Sequence, residues 1–523
     1  MARGPPANDT IGPGGRASAT ACAAGLANTI LGAGILGLPY ALMHCGFPLG
    51  LALLVACAAA CGTSLHLLAL SAQTSGTFPA SFYTVASASI PEWAFAIDLA
   101  VAVKCFGVAT SYLLIVGDEM STAAAMLGLP AAWQARRLWV TVGTLVAGPL
   151  SCAARLEVLK FSSMLAIGCI AYIAVLSVLV VLEPSLACNQ ASQLTGSCRG
   201  PPTTRPDGSV LQVVPIFIFG FTCQQNIFSG EPLSAPRAVQ PQKRAPRAEL
   251  HRQHARGASD LAAPSLPPSV ARRAAVVNEL REPCVRRLNH VICAAVLAAL
   301  ASYATVASAG ALVYGQKVQP DVLVNYPDDS APFLAARVGI SIVVLCAYPL
   351  QAHPSRKSAL SLARAASAAL GARRARAGTH VGDAPTAWRE AARCDTGSRL
   401  ARAFDGEAHD TAQLLSAGSS VSERDAPPPS DDYTARYWLY TALFVVCSWR
   451  IALAVTNLGK VMAVVGATGS TTVSYILPGA CYWRLHPFPH AKRYVAGGMF
   501  LTGLALIPTA LHAIFSPTHK ISI

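Results

Sequence analysis

Asn28-Thr29-Ile30-Leu31-Gly32-Ala33-Gly34-Ile35-Leu36-Gly37-Leu38-Pro39-Tyr40-Ala41 sets three glycines within six residues in the middle of an apolar run. Glycine costs a helix interior up to about 1 kcal/mol relative to alanine, so this cluster makes an unwound stretch easy. Unwound backbone presents bare amides and carbonyls, which lipid does not tolerate, so such a stretch must face a polar cavity. The half-helix starting near Ile35 would offer its N-terminal amides to a carboxylate. Carbonyls ending the preceding half, from Asn28 to Leu31, would accept an ammonium group or a cation. A zwitterion leaving water needs both charges compensated, and a broken helix supplies both polarities without an ionised side chain. The competing reading is that the glycines serve only close helix packing.

The surrounding chain has the composition of a membrane protein. Of its 523 residues 53% are hydrophobic and only 13% charged, against roughly a quarter charged in a soluble domain. Apolar runs long enough to cross a bilayer, about 20 residues each, lie near 20–43, 48–71, 93–117, 138–153, 160–182, 210–229, 288–314, 333–352, 437–457, 460–482 and 494–515. The expected fold is therefore all-α, a polytopic protein of about eleven transmembrane helices. Spans 1–6 fill 20–229, spans 7–8 fill 276–359, and spans 9–11 fill 433–523. The run beginning at Ala21 is too long for a signal-peptide core and reads as an uncleaved first span.

The net charge of +14 comes from basic residues gathered in loops between the runs. That is the pattern of a cytosolic membrane face rather than of a nucleic-acid binder. Arg281, Arg286, Arg287, Arg356 and Lys357, close to span ends, place the N-terminus in the cytosol. Residues 1–19, 230–275 and 360–432 are rich in Pro, Ala, Gly and Arg without apolar periodicity, so they are expected to be disordered. A regulatory or partner-binding role for the two long loops is the alternative. Most cysteines lie inside apolar runs as small hydrophobes. Cys188 and Cys198 share one polar loop, where either a disulfide or two free thiols is consistent with the spacing.

The sixth run, Pro215-Ile216-Phe217-Ile218-Phe219-Gly220-Phe221-Thr222-Cys223-Gln224-Gln225-Asn226, carries Thr222, Gln224, Gln225 and Asn226 at membrane depth. Such groups are costly unless they bond to each other or to a ligand. They form either the second half of a binding site or glue between packed spans. Ionisable residues at depth, Asp98 and Lys104 in the third run and Arg450 in the ninth, call either for a gating role or for inter-span pairing or snorkelling. No metalloprotease, phosphate-loop or nucleophile-elbow motif occurs. His251 and His254 lack further ligands, so neither enzyme chemistry nor a metal or cofactor is expected.

The opening stretch resembles the first helix of the amino acid/auxin permease family, in the branch holding sodium-coupled neutral amino acid transporters and vacuolar amino acid transporters. Further stretches agree in order: Gly107 to Leu113 with Gly117-Asp118, Phe217 to Asn226, Asn278-Glu279-Leu280, Tyr348-Pro349-Leu350, and Val465 to Ser470. The resemblance implies a five-plus-five inverted repeat with discontinuous first and sixth helices and one extra helix. It also implies secondary active transport of amino acids, neutral ones foremost, by alternating access. The site would comprise Gly32, Ala33, Gly34, Ile35 and Gly37 with Thr222, Gln224, Gln225 and Asn226. An ion, H⁺ or Na⁺, would lie near Asn28 and Leu31. The partners are an amino acid and membrane lipid, in a plasma or vacuolar/lysosomal membrane. An amino-acid sensor of the same fold, or a channel, is the alternative.

Two departures from the family pattern stand out. Relatives often carry a histidine where Gln224 stands, and glutamine does not titrate near neutral pH. Sodium-coupled relatives carry a hydroxyl residue in the eighth span, whereas Leu345-Cys346-Ala347-Tyr348-Pro349 has none. Tight sodium coupling is therefore not expected. In addition, joining Ser229 to Val276 would restore an uninterrupted family pattern, so 230–275 reads as a retained intron or gene-model error.

Overall fold

The computed structural model describes residues 18–76, 82–152, 159–183, 186, 200, 202–206, 210–227, 284–378 and 431–516. Cys188, Cys198 and the segment 230–275 lie outside these residues. Among the described residues there is no strand, and each apolar run is helical. Backbone groups in lipid have only the helix to bond within.

The first run is two helices, α1 (Ala19–Ile30) and α2 (Gly34–His44), meeting at 58°. There follow α3 (Phe47–Ser75), the short α4 (Phe82–Ser89), α5 (Ala94–Met126), α6 (Arg136–Cys152), α7 (Leu159–Leu182) and α8 (Val210–Phe221). The second half holds α9 (Val285–Tyr314), the one-turn α10 (Val322–Asn325), α11 (Ala331–Gly378) and α12 (Asp431–Ala454). It ends with α13 (Leu458–Val465), α14 (Leu477–Leu485) and α15 (Ala491–Phe515). Between α13 and α14 the helix widens into π-type turns over Gly466–Ser470 and Thr472–Ile476. Helix α11 continues to Gly378, well into the segment from 360 onward that composition alone left without structure.

Eight of these segments are long and apolar enough to cross a bilayer, and the bent α1–α2 pair makes a ninth. The remaining two runs are shorter, at 17 residues for α6 and 12 for α8. At 1.5 Å per residue α8 reaches about 18 Å, little more than half the hydrocarbon core. It is a half-span by length. Apolar side chains on the perimeter, such as Leu145, Met164, Leu182, Leu501 and Leu504, are exposed as lipid-facing residues are.

The two halves of the chain pack element on counterpart. Helix α2 lies on α8, α3 on α9, α5 on α11 and α6 on α12. Each of these helices therefore touches the one five spans later, the arrangement that two repeats about a pseudo-twofold axis produce. Small residues make the close crossings. A Cβ at Gly107 would run into Val465, and one at Gly466 into the Pro215 carbonyl. With no hydrophobic force between helices in lipid, such backbone approaches hold the bundle.

Candidate functional site

The break in the first span lies at Leu31–Ala33, where the cluster of glycines foretells it. Helix α1 closes with Leu31 N–H donating to the Ala27 carbonyl, and Leu31 then turns to φ −69°, ψ 82°. The ladder resumes with Ile35 and Leu36 donating to Gly32 and Ala33. Among the described residues the Gly32 and Ala33 amides have no backbone acceptor. The sixth run leaves helical geometry close to where it crosses this break. Helix α8 stops at Phe221, Thr222 and Cys223 leave helical geometry, and a single tight turn follows over Gln224–Asn226.

One side chain spans both breaks. The hydroxyl of Tyr303, wholly buried on α9, lies 2.5 Å from the Ile30 carbonyl and 3.1 Å from the Gly220 carbonyl. Its single proton is shared between two acceptors that the broken helices leave without a ladder partner. Sequence reading missed Tyr303, whose only signal is an isolated tyrosine in an alanine-rich span.

The three glycines do different things. A Cβ on Gly34 would come 2.5 Å from Gly220 Cα, so the two broken spans cross backbone to backbone here. Gly37 is closed in by Met462 and Ile216 at 2.9 and 3.3 Å. Both positions serve packing, and Ala33 and Ile35 are buried. Gly32 instead faces a cavity of about 20 Å³, together with Asn28, Leu31, Tyr112, Val343 and Ala347. That volume suits a water molecule and is too small for an amino acid.

Of the polar residues of the sixth span, Gln224 is committed to the protein. Its Oε1 accepts from the Cys223 amide at 3.0 Å and from the Ser474 hydroxyl at 2.9 Å, while Nε2 donates to Ser64 at 3.3 Å. It thereby ties the break to α3 and to the π-type stretch. Thr222 donates to the Ile218 carbonyl and sits 3.3 Å from Ser474. Asn226 donates to Thr29 at 2.8 Å, joining this turn to α1. Gln225 is buried. Gln224 and Asn226 thus brace the break, and neither Thr222 nor these two line the cavity by Asn28.

The wall that α11 gives this cavity is apolar, with Val343, Val344, Ala347 and Leu350. Ser341 is turned away, its hydroxyl donating to Arg337. Beside Asn28 and Leu31, a hard cation would find few of the oxygen ligands it requires.

Some of the charged residues find partners on other spans. Asp98 accepts from Ser358 at 3.2 Å, and Lys104 is buried with its backbone against Gly469. Arg450 is exposed near the end of α12, as a snorkelling side chain is. Asp118 pairs with Arg136, which also donates to the carbonyls of Ala452 and Val455 at the end of α12. Glu119 and Arg337, which sequence reading passed over, form a buried ion pair at 2.7 Å between α5 and α11. The signal was present, since Arg337 lies inside an apolar run.

A multi-pass helical bundle whose first span is broken where it crosses the end of α8, the two pinned by a shared tyrosine, has the architecture of a membrane transporter. The pattern of the transmembrane amino acid transporter protein family matches residues 15–232 and 274–502, and the chain belongs to that family. It is 27% identical to Vacuolar amino acid transporter 6 of Saccharomyces cerevisiae over 93% of this chain and 96% of that one. Vacuolar amino acid transporter 5 of Schizosaccharomyces pombe is 29% identical over 88% and 82%. Sodium-coupled neutral amino acid transporter 7 of Homo sapiens is 24% identical over 62% and 60%. The family is one of transporters, not of enzymes.

Proposed function

We propose that this protein is a secondary active transporter of amino acids, neutral ones foremost, working by alternating access in a vacuolar or similar organellar membrane with its N-terminus in the cytosol. The observation that carries the reading is the Leu31–Ala33 break, whose Gly32 and Ala33 amides lack backbone acceptors, with the Tyr303 hydroxyl at the Gly32 amide and a cavity beside it. Those amides can take a substrate carboxylate, and the carbonyls ending α1 can take its ammonium group. The cavity is too small for substrate, so binding requires α2 or its neighbours to move, which is what alternating access supplies. The vacuolar relatives favour an organellar membrane. The apolar α11 wall favours H⁺ over Na⁺ as the coupling ion.

Uptake into liposomes bearing the purified full chain, with proton and sodium gradients imposed separately, tests this. Saturable uptake of a neutral amino acid that follows the proton gradient and ignores sodium is the expected result. Binding without flux would make the protein a sensor, and unsaturable current a channel; either overturns the transporter reading.

A further inference from the structure

The loop joining α9 to α11 carries a feature the transport reading does not use. Pro320 in this loop lies against α2 and α13: its carbonyl is 3.5 Å from a Cβ at Gly37, and its ring 2.9 Å from one at Gly459. The loop is therefore seated on α2, the second half of the first span, and on the start of the tenth. Beneath it Arg337 donates to Glu119 at 2.7 Å and to the loop carbonyls of Leu323 and Tyr326 at 2.7 and 3.2 Å. Asp321 Oδ1 accepts from the Leu323 amide at 3.0 Å.

Two oxygens here meet no donor. Glu119 Oε1 and Asp321 Oδ2 are both buried without one, although the carboxyls lie within hydrogen-bonding reach of each other. Two ionised carboxylates cannot bond to one another; one proton between them satisfies both atoms. The charge balance agrees. Among the described residues Asp118, Glu119 and Asp321 face only Arg136 and Arg337, leaving one negative charge unmatched in a buried place. Among the described residues no other charged group acts on the pair, and Lys317, in the turn after α9, and Lys460, on α13, are exposed. Burial and the neighbouring Glu119 push the Asp321 carboxyl well above the usual carboxylate range.

On the reading of an alternating-access transporter, we propose that Glu119 and Asp321 bind one proton between them and that this proton locks the Pro320 loop down, closing the face on which it lies. The proton comes from water on that side and adds to one carboxylate oxygen. The other carboxylate accepts its hydrogen bond. Loss of the proton sets two buried carboxylates against each other and lifts the loop from α2 and α13. The proton thus governs how readily that face closes, whichever ion drives net flux.

Infrared difference spectra of the purified full chain and of Asp321→Asn and Glu119→Gln test the site without any transport assay. The wild type is expected to show a protonated-carboxyl band at neutral pH that both variants lack. A wild-type spectrum without that band overturns the proposal. Substrate counterflow at matched pH on both sides then tests the closing step. Above the titration of the pair the wild-type rate is expected to fall roughly tenfold per pH unit, the slope for one proton. Asp321→Asn, whose amide can donate to Glu119 permanently, is expected to hold the acid-side rate throughout. Identical pH profiles for the two overturn the proposal. A wild type that exchanges no substrate at any pH refutes the transporter reading instead, and the infrared band still decides the pair.

Discussion

Tyr303 satisfies two buried carbonyls that belong to different spans, so its hydroxyl does more than a single hydrogen bond would. Tyr303→Phe keeps the ring against Phe221 and leaves both carbonyls short of a donor. The expected cost is about 1–3 kcal/mol in stability, read by thermal unfolding, with uptake falling at least as steeply because the two breaks lose their common tie. The glycines separate packing from binding. Gly34→Ala drives a methyl to 2.5 Å from backbone at Gly220 and is expected to abolish folded protein. Gly32→Ala meets Tyr112 at 3.5 Å and the Ile30 carbonyl at 4.0 Å, both ordinary contacts; it should fold, measured by monodisperse yield, and lose substrate affinity. Equal yields for the two would contradict this division. Asp321 adds a pH effect whose sign is fixed by its raised folded-state titration. Between the ordinary carboxylate range and the raised value the unfolded chain holds fewer protons, so stability falls as pH rises through that window. Thermal unfolding should show that decline in the wild type and a flatter profile in Asp321→Asn.

Elements decide what single residues leave open. Gln224 looks in sequence like a pocket residue, yet α3 and the π-type stretch bring Ser64 and Ser474 to its amide and use it up. Gln224→Ala strands the Cys223 amide and two hydroxyls. A loss of about 1–3 kcal/mol is expected in thermal unfolding, while the pH profile of uptake keeps its shape because an amide does not titrate. The break itself was legible, since glycine clustering acts locally through helix propensity. Which glycine packs and which faces the cavity was not, because that depends on Gly220 and Tyr112 arriving from spans far along the chain. The π-type widening at Gly466–Ser470 was likewise invisible. It follows from backbone crossing at Pro215 and Lys104, a tertiary demand that overrides local preference. Tyr303 and the Glu119–Arg337 pair share the same cause: a lone polar residue in an apolar run announces a partner without saying which.

At the scale of the whole molecule, the chain must bring its two halves together so that α2 meets α8 and α3 meets α9, and only the connection between Ile227 and Val285 joins those halves. The family match stops at residue 232 and resumes at 274, so what the halves need from that connection lies at its ends. Removing 230–275 leaves about eleven residues, which at ~3.3 Å each reach roughly 36 Å. That exceeds the hydrocarbon thickness of a bilayer and easily links neighbouring helices on one face. A chain lacking 230–275 is therefore expected to insert, fold and take up substrate as the full chain does, with the same pH profile, in matched liposome preparations. Sequencing of the mature transcript should recover Ser229 joined directly to Val276. Abundant message and protein carrying the segment, together with a deletion variant that no longer transports, would show instead that the two halves need it to work against each other.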